Sequence, residues 1–167
     1  SRLYDALYDP QARFLQRSAE VDLDLVIFGT GVLFVGEARG GDGLHFRSHH
    51  LKDVCVAENA DGEIDTLFRT FSLTARQAVQ KWPAETLGRK LREALDRGKG
   101  DDRFAFLHAV LPREEHDPRR RGRESLPFAS LWIDVESEVM IDEGGYHEFP
   151  YVVPRWDTAA GEVYGRS

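Results

Sequence analysis

The chain has 167 residues, 41% of them hydrophobic, and its 22 Lys+Arg against 29 Asp+Glu leave a formal net charge of −7. That length favours one domain and allows roughly 70% of the unfolded surface to be buried, which excludes global disorder. A pI near 5.4 speaks against a surface built to neutralise many phosphates, and no apolar run approaches the roughly 20 residues of a membrane span.

In chain order, Asp9-Pro10 predicts a helix start, because Asp accepts from free backbone N–H groups and Pro presets φ at the first helical position. Phe14, Ser18, Val21, Leu25 and Phe28 recur at spacings of four and three, lining one face, and Gly29 is placed to end the helix. Val21-Asp22-Leu23-Asp24-Leu25 also alternates, so a strand competes there. After Gly29-Thr30-Gly31, the run Val32-Leu33-Phe34-Val35 has strand composition, Gly40-Gly41-Asp42-Gly43 breaks it, and Leu44-His45-Phe46 is a brief further strand. Val54-Cys55-Val56 and Ile64 to Phe71 form the best hairpin, joined by Asn59-Ala60-Asp61-Gly62, whose Asp-Gly suits the positive φ of tight turns.

Thr74 caps a helix over 75–81, and Pro83 opens a second over 84–97, in which Leu87, Leu91 and Leu95 make a ridge ending at Gly98. Strand patterns resume at Phe104 to Leu111, Phe128 to Val135, Val139 to Asp142 and Phe149 to Val153. Between the first two of these, Arg113 to Glu124 has no apolar residue; its five arginines and four carboxylates read as a solvated loop, of a composition that also suits disorder. The predicted class is α+β: a long N-terminal helix within residues 1–30, then a mainly antiparallel β domain over 31–167, open or closed into a small barrel, with two inserted short helices. No repeat and no linker divides it, so residues 1–167 read as a single domain.

The search for chemistry excludes more than it finds. Gly29-Thr30-Gly31 lacks the third glycine of a dinucleotide fingerprint, since Phe34 stands there, and Glu37-Ala38 replaces the Lys and Ser/Thr that a triphosphate loop needs. A helix cap leading into a strand is the simpler reading. Asn59-x-Asp61-Gly62 resembles part of a calcium loop, but Phe68 stands where the bidentate carboxylate belongs. His49-His50, the single Cys55 and His147-Glu148 have no zinc-ligand spacing, and no Gly-x-Ser-x-Gly elbow is present. No catalytic, metal or cofactor residue is singled out, and the chain reads as no enzyme. With one cysteine there is no internal disulfide, which fits a reducing compartment. Beginning at Ser1, with Met140 as its one methionine, the sequence reads as a piece of a longer protein.

Arg119, Arg120, Arg121 and Arg123 form the basic cluster, a weak candidate contact for nucleic acid. With Arg113 they face Glu114, Glu115, Asp117 and Glu124, so five cations against four carboxylates leave one net charge and a hydrated loop is the better reading. Tyr146, Phe149, Tyr151, Trp156 and Tyr164 suggest either stacking of bases or packing; without interleaved basic residues, core and interface packing fits better.

Several stretches together resemble a known family. Leu23-Asp24-Leu25-Val26-Ile27-Phe28-Gly29-Thr30-Gly31, Glu58 to Gly62 leading to Leu73-Thr74-Ala75-Arg76-Gln77-Ala78, Gly144-Gly145-Tyr146, Phe149-Pro150-Tyr151-Val152-Val153-Pro154-Arg155-Trp156 and Gly161-Glu162-Val163-Tyr164-Gly165-Arg166-Ser167 are similar to the head-to-tail connector, or portal, proteins of short-tailed phages. The resemblance spans nearly the whole chain and is most specific at its C-terminal end. It implies a structural, ring-forming subunit, usually in twelve copies, at one vertex of the virion, assembled in the host cytoplasm. Double-stranded DNA is pumped through such a channel by the terminase and later ejected, and capsid and tail proteins dock outside this region. The chain would be the central wing region, ending near where channel-lining stem helices begin. No membrane partner and no family catalytic or metal residue is implied. On this reading the Phe14, Val21, Leu25, Phe28 stripe is a candidate subunit interface, exposed where missing segments would cover it, and self-association through it is expected. The alternative is a nucleic-acid-binding module acting through the arginine loop.

Overall fold

The computed structural model describes residues 2–38, 43–159 and 161–166. The chain forms two compact units: unit 1 comprises 1–54 and 150–167, and unit 2 comprises 55–149. Unit 2 is thus an insertion in the sequence of unit 1.

In unit 1, α1 (Arg2–Leu7) and α2 (Phe14–Phe28) precede β1 (Leu33–Glu37) and β2 (Leu44–Ser48), and β8 (Tyr151–Val152) returns at the far end of the chain. The three strands form an antiparallel sheet ordered β2-β1-β8, with Leu33 opposite Ser48 on one side and Val152 on the other. The helix signalled by Asp9-Pro10 does not begin there, and the long N-terminal helix is two helices. Asp9 Oδ1 accepts from the Gln11 amide at 2.8 Å in a local turn, and Arg13 sits at φ 57°, a left-handed position that interrupts the backbone bonds ahead of α2. Ala12, 1% exposed, tucks into the core at this break. Helix prevails over strand at 21–25 because Val21 packs with Ala12, Leu33 and Phe46 on one side of α2. Gly29 closes the helix in the left-handed region, its N–H donating to Leu25 O. The glycine break at 40–43 lies outside the described residues except for Gly43.

Unit 2 is built on a five-stranded sheet ordered β3-β4-β5-β6-β7, from β3 (Val54–Glu58), where the chain passes out of unit 1, through β4 (Ile64–Thr74), β5 (Arg103–Pro112) and β6 (Phe128–Asp134) to β7 (Val139–Tyr146). β4 through β7 pair antiparallel, with a register shift at Trp132/Ile133. Among the described residues neither sheet closes into a barrel; β3 and β7 are both edges, and the eight described strands divide between two open sheets. The β3–β4 turn is as the sequence specifies: Asn59 Oδ1 accepts from the amides of Asp61 and Glu63, and Gly62 takes φ 79°.

Between β4 and β5 lie α3 (Ala75–Lys81) and α4 (Arg89–Asp96). Thr74 and Gln77 cap α3 reciprocally, Thr74 Oγ1 accepting from the Gln77 amide at 3.2 Å and Gln77 Oε1 from the Thr74 amide at 3.0 Å. The helix expected over 84–97 starts instead as a 3-10 turn at Ala84–Thr86, breaks at Leu87-Gly88 and resumes as α4. Close packing accounts for the glycine at the break: a Cβ on Gly88 would overlap Ser137 Oγ and Asp134 Oδ2. Leu87, Leu91 and Leu95 still point into one core with Ala75, Ala78, Trp82, Phe104, Phe106 and Ile141.

Candidate interaction surfaces

Three features concentrate the chain's unusual chemistry. The first is α2. Of the sequence-predicted stripe, Phe14 stacks edgewise on Phe46 at 5.0 Å, Val21 is buried, Leu25 is half-buried and Phe28 is exposed. The apolar side chains left to solvent lie on the other side of the helix: Leu15, Leu23, Val26 and Ile27, at 51–63% exposure. Spacing cannot separate the two stripes, because both repeat every three to four residues; only Ala12, Leu33 and Phe46 decide which one is internal. Beside the end of α2, Phe28, His50, Leu51 and Lys52 line a hollow of about 300 Å³. Along its flank, Arg17, Glu20, Leu23, Asp24, Ser48, His49 and His50 line another of about 390 Å³. There Ser48 Oγ donates to Glu20, whose carboxyl is held below its usual range by that bond first and by Arg17 at 2.8 Å second.

The second feature joins two motifs far apart in sequence. Gly29-Thr30-Gly31 receives the C-terminal segment: Gly31 N donates to Pro154 O at 3.1 Å, Trp156 N to Gly29 O at 2.9 Å, and Gly165 N to Thr30 Oγ1 at 2.7 Å. Thr30 is fully buried. A Cβ on Gly165 would overlap Gly29 O, and one on Gly31 would meet Val21 O at 2.9 Å, so close backbone approach explains both glycines. Arg155 Nη1 donates to Val163 O at 3.1 Å, and Arg166 pairs with Glu162, pinning the segment to itself. The glycines that invite comparison with a phosphate loop are a clasp for the chain's own backbone.

The third is the arginine loop of unit 2. Arg113, 12% exposed, donates to Glu143 Oε1 at 2.9 Å and to Gly144 O at 3.0 Å, while Arg123 reaches Glu143 Oε2 at 2.7 Å. The bond from Arg113, then the charges of Arg123 and Arg113, hold the Glu143 carboxyl below its usual range. Arg120 is clamped between Glu124 at 2.7 Å and Asp117 at 3.7 Å. Arg119 and Arg121 are exposed and make no ion pair among the described residues. Two of the four proposed contact arginines are therefore committed internally. Arg113 and Glu143, which organise the loop, are 30 residues apart in sequence and carry no local signal.

Unit 2 also holds an aromatic stack that the sequence conceals. Trp132 lies parallel to the His108 ring at 3.7 Å and 9°, and Lys81 Nζ sits 3.6 Å from its centroid. Imidazole and ammonium cannot share one face of the indole at those distances, so they cover opposite faces. His108 also bonds Ser130 Oγ at 2.9 Å. Burial raises the Tyr146 phenol, against a bond to Ser130 and the charge of Arg69. Of the other C-terminal aromatics, Phe149 packs on Phe128 in unit 2, and Tyr151 is buried against Phe34 in unit 1. Trp156 and Tyr164 are exposed. Among the described residues no group of three or more His, Cys, Asp or Glu is arranged to hold a metal, and no helix is long and apolar enough to cross a membrane.

Residues 2–167 match the sequence profile of a family described as bacteriophage head to tail connecting protein. The chain is 26% identical over 117 residues to a probable portal protein of Bordetella phage BPP-1, covering 69% of this chain and 21% of that protein. It is 26% identical over 142 residues to the portal protein of Salmonella phage epsilon15, covering 84% of this chain and 25% of that one. The chain thus spans a quarter or less of the length of these relatives. With the match running the length of both units and through the Gly29–Gly165 clasp, the chain belongs to the bacteriophage head to tail connecting protein family.

Proposed function

We propose that this chain is a structural segment of a phage portal, contributing to a ring of identical subunits at the head–tail vertex of the virion. The observation that carries the reading is the family match over residues 2–167 together with portal relatives in two phages. The exposed Leu15, Leu23, Val26, Ile27 face supports it, since an apolar helix face of this kind marks a surface that a neighbour covers. In this reading the subunit interface uses Phe28 and that outer face of α2, while Phe14, Val21 and Leu25 hold α2 to its own sheet. The partners are further copies, about twelve in the ring, with terminase, capsid and tail proteins docking elsewhere, and duplex DNA passes through the channel. The work is mechanical and needs no catalytic residue.

Electron microscopy of the full-length parent tests this directly. Closed rings with an open channel are expected, and their absence under every assembly condition would overturn it. A nucleic-acid-binding role for the loop rests on Arg119 and Arg121 alone, the two arginines that the loop does not neutralise.

A further inference from the structure

Resting on the nucleic-acid reading of the arginine loop, we infer that Glu143 is an autoinhibitory residue: it masks Arg123, an exposed cation that would otherwise grip the phosphates of duplex DNA. The arginines of the loop differ in how they are held. Arg113 is 12% exposed and donates to Leu126 O at 3.3 Å and Gly144 O at 3.0 Å as well as to Glu143 Oε1, so it belongs to the scaffold. Arg119 and Arg121 point into solvent without an ion pair among the described residues. Arg123 stands between these cases. It is 60% exposed, and among the described residues its side chain bonds only Glu143 Oε2, at 2.7 Å.

Water screens a pair this exposed, so the Arg123–Glu143 bond adds little to stability. What it changes is charge. From Arg113 to Glu124 the chain carries five arginines and four carboxylates; Glu143, on β7 and 30 residues beyond Arg113, makes five against five. Nucleic-acid affinity grows with each phosphate neutralised, because each neutralisation releases condensed counterions, so the number of free guanidinium groups sets the grip. With Glu143 in place the loop offers Arg119 and Arg121; without it Arg123 becomes a third. Arg120 does not join them, since Glu124 and Asp117 hold it. The Glu143 carboxyl lies below its usual range, first through the Arg113 bond, so the mask stays ionised throughout neutral pH. Few contacts of this kind suit a protein that duplex DNA has to slide past.

Anisotropy of a labelled duplex mixed with this chain, from about 10 to 100 mM salt, reads the mask. Glu143→Gln should raise affinity at least about tenfold at the low-salt end and steepen the log–log salt slope by about one, the effect of one added phosphate contact. Arg123→Ala should leave the affinity of the parent unchanged and cancel the gain in the Glu143→Gln background. Glu85→Gln, the same change in net charge made beside the β6–β7 turn, should stay within about twofold of the parent, because charges outside the loop act weakly through screening. Glu143→Gln with native circular dichroism and the affinity of the parent overturns the inference. So does a loss of affinity on Arg123→Ala in the parent, a result that needs no folded Glu143 variant. A gain as large for polyglutamate as for the duplex overturns nucleic acid as the partner. Absence of duplex binding by every variant at low salt removes the nucleic-acid reading together with the mask, whereas equal binding by parent and Glu143→Gln removes the mask alone.

Discussion

Replacing Gly88 by Ala is the sharpest test of how unit 2 is assembled. Gly88 has φ −62° and ψ 155°, a conformation that alanine adopts freely, so the backbone alone predicts a gain of about 0.4–1 kcal/mol from the less flexible unfolded chain. Space predicts the opposite. A Cβ would overlap Ser137 Oγ, Ser137 Cβ and Asp134 Oδ2. Asp134 is fully buried, and its Oδ1 accepts from the amides of Glu136 at 3.1 Å and Ser137 at 3.2 Å. Ser137 cannot yield without opening that turn. Overpacking of this kind costs about 1–3 kcal/mol, and disturbing two turn bonds adds on the order of 1 kcal/mol. The net expectation is a loss of about 1–3 kcal/mol, read as a lowered denaturant midpoint with Trp82 and Trp132 as fluorescent reporters. Gly144→Ala is the control, because nothing lies within 4 Å of a Cβ there, and it should be neutral within about 0.5 kcal/mol. A Gly88→Ala protein as stable as the parent would show that Asp134 and Ser137 are not fixed and refute the packing argument.

Thr30→Val removes the acceptor of the Gly165 amide inside a fully buried site; it should cost about 1–3 kcal/mol and expose the C-terminal segment to limited proteolysis, and unchanged cleavage would count against the clasp. Glu143→Gln should lose about 1–2 kcal/mol at neutral pH. Because the Glu143 carboxyl is held below its unfolded value, its contribution is complete above the ordinary carboxylate range and disappears as pH falls through the folded value, so parent and variant should converge in acid. Lys81→Met should shift Trp emission while changing stability by no more than about 1 kcal/mol, and an unaltered spectrum would mean that the ammonium does not rest on Trp132. If duplex DNA binds through Arg119 and Arg121, the log–log salt slope should be no steeper than about −2 and should vanish on their replacement by Ala; a steeper slope would point to cations outside the loop.

What the sequence discloses is what local chemistry decides. The Asp61-Gly62 hairpin, the Thr74–Gln77 cap and the Gly29 stop each depend on groups within a few residues, and each forms as expected. The failures have two causes: packing against distant residues and competing local bonds. Leu87, Leu91 and Leu95 carry an unbroken helical spacing, but Gly88 is extended and packs closely against Asp134 and Ser137. The N-terminal helix breaks at a pair of competing local bonds, with Asp9 capping Gln11 rather than a long helix, and Ala12 drawn into the core. At the candidate surfaces, α2 offers two stripes of equal periodicity, and only the sheet beneath it reveals that Leu23 and Val26, not Val21, face outward. The arginine loop is legible in composition, but its neutralisation by Glu143 is not.

The division of the chain also fixes a timetable. Residues 55–149 leave the ribosome as one uninterrupted stretch containing everything the inserted unit needs, so it can complete its sheet while synthesis continues. The surrounding unit cannot, because β8 and the segment that bonds Gly29 and Thr30 follow the whole of the inserted unit. While residues 55–149 are being made, α2 can already pack Val21 against Ala12, Leu33 and Phe46, but Gly29 and Thr30 at its end still wait for their partners. The segment up to Gly165 thus closes the end of a helix made more than a hundred residues earlier, and a nascent protein stalled short of Gly165 would leave the buried Thr30 hydroxyl without that bond.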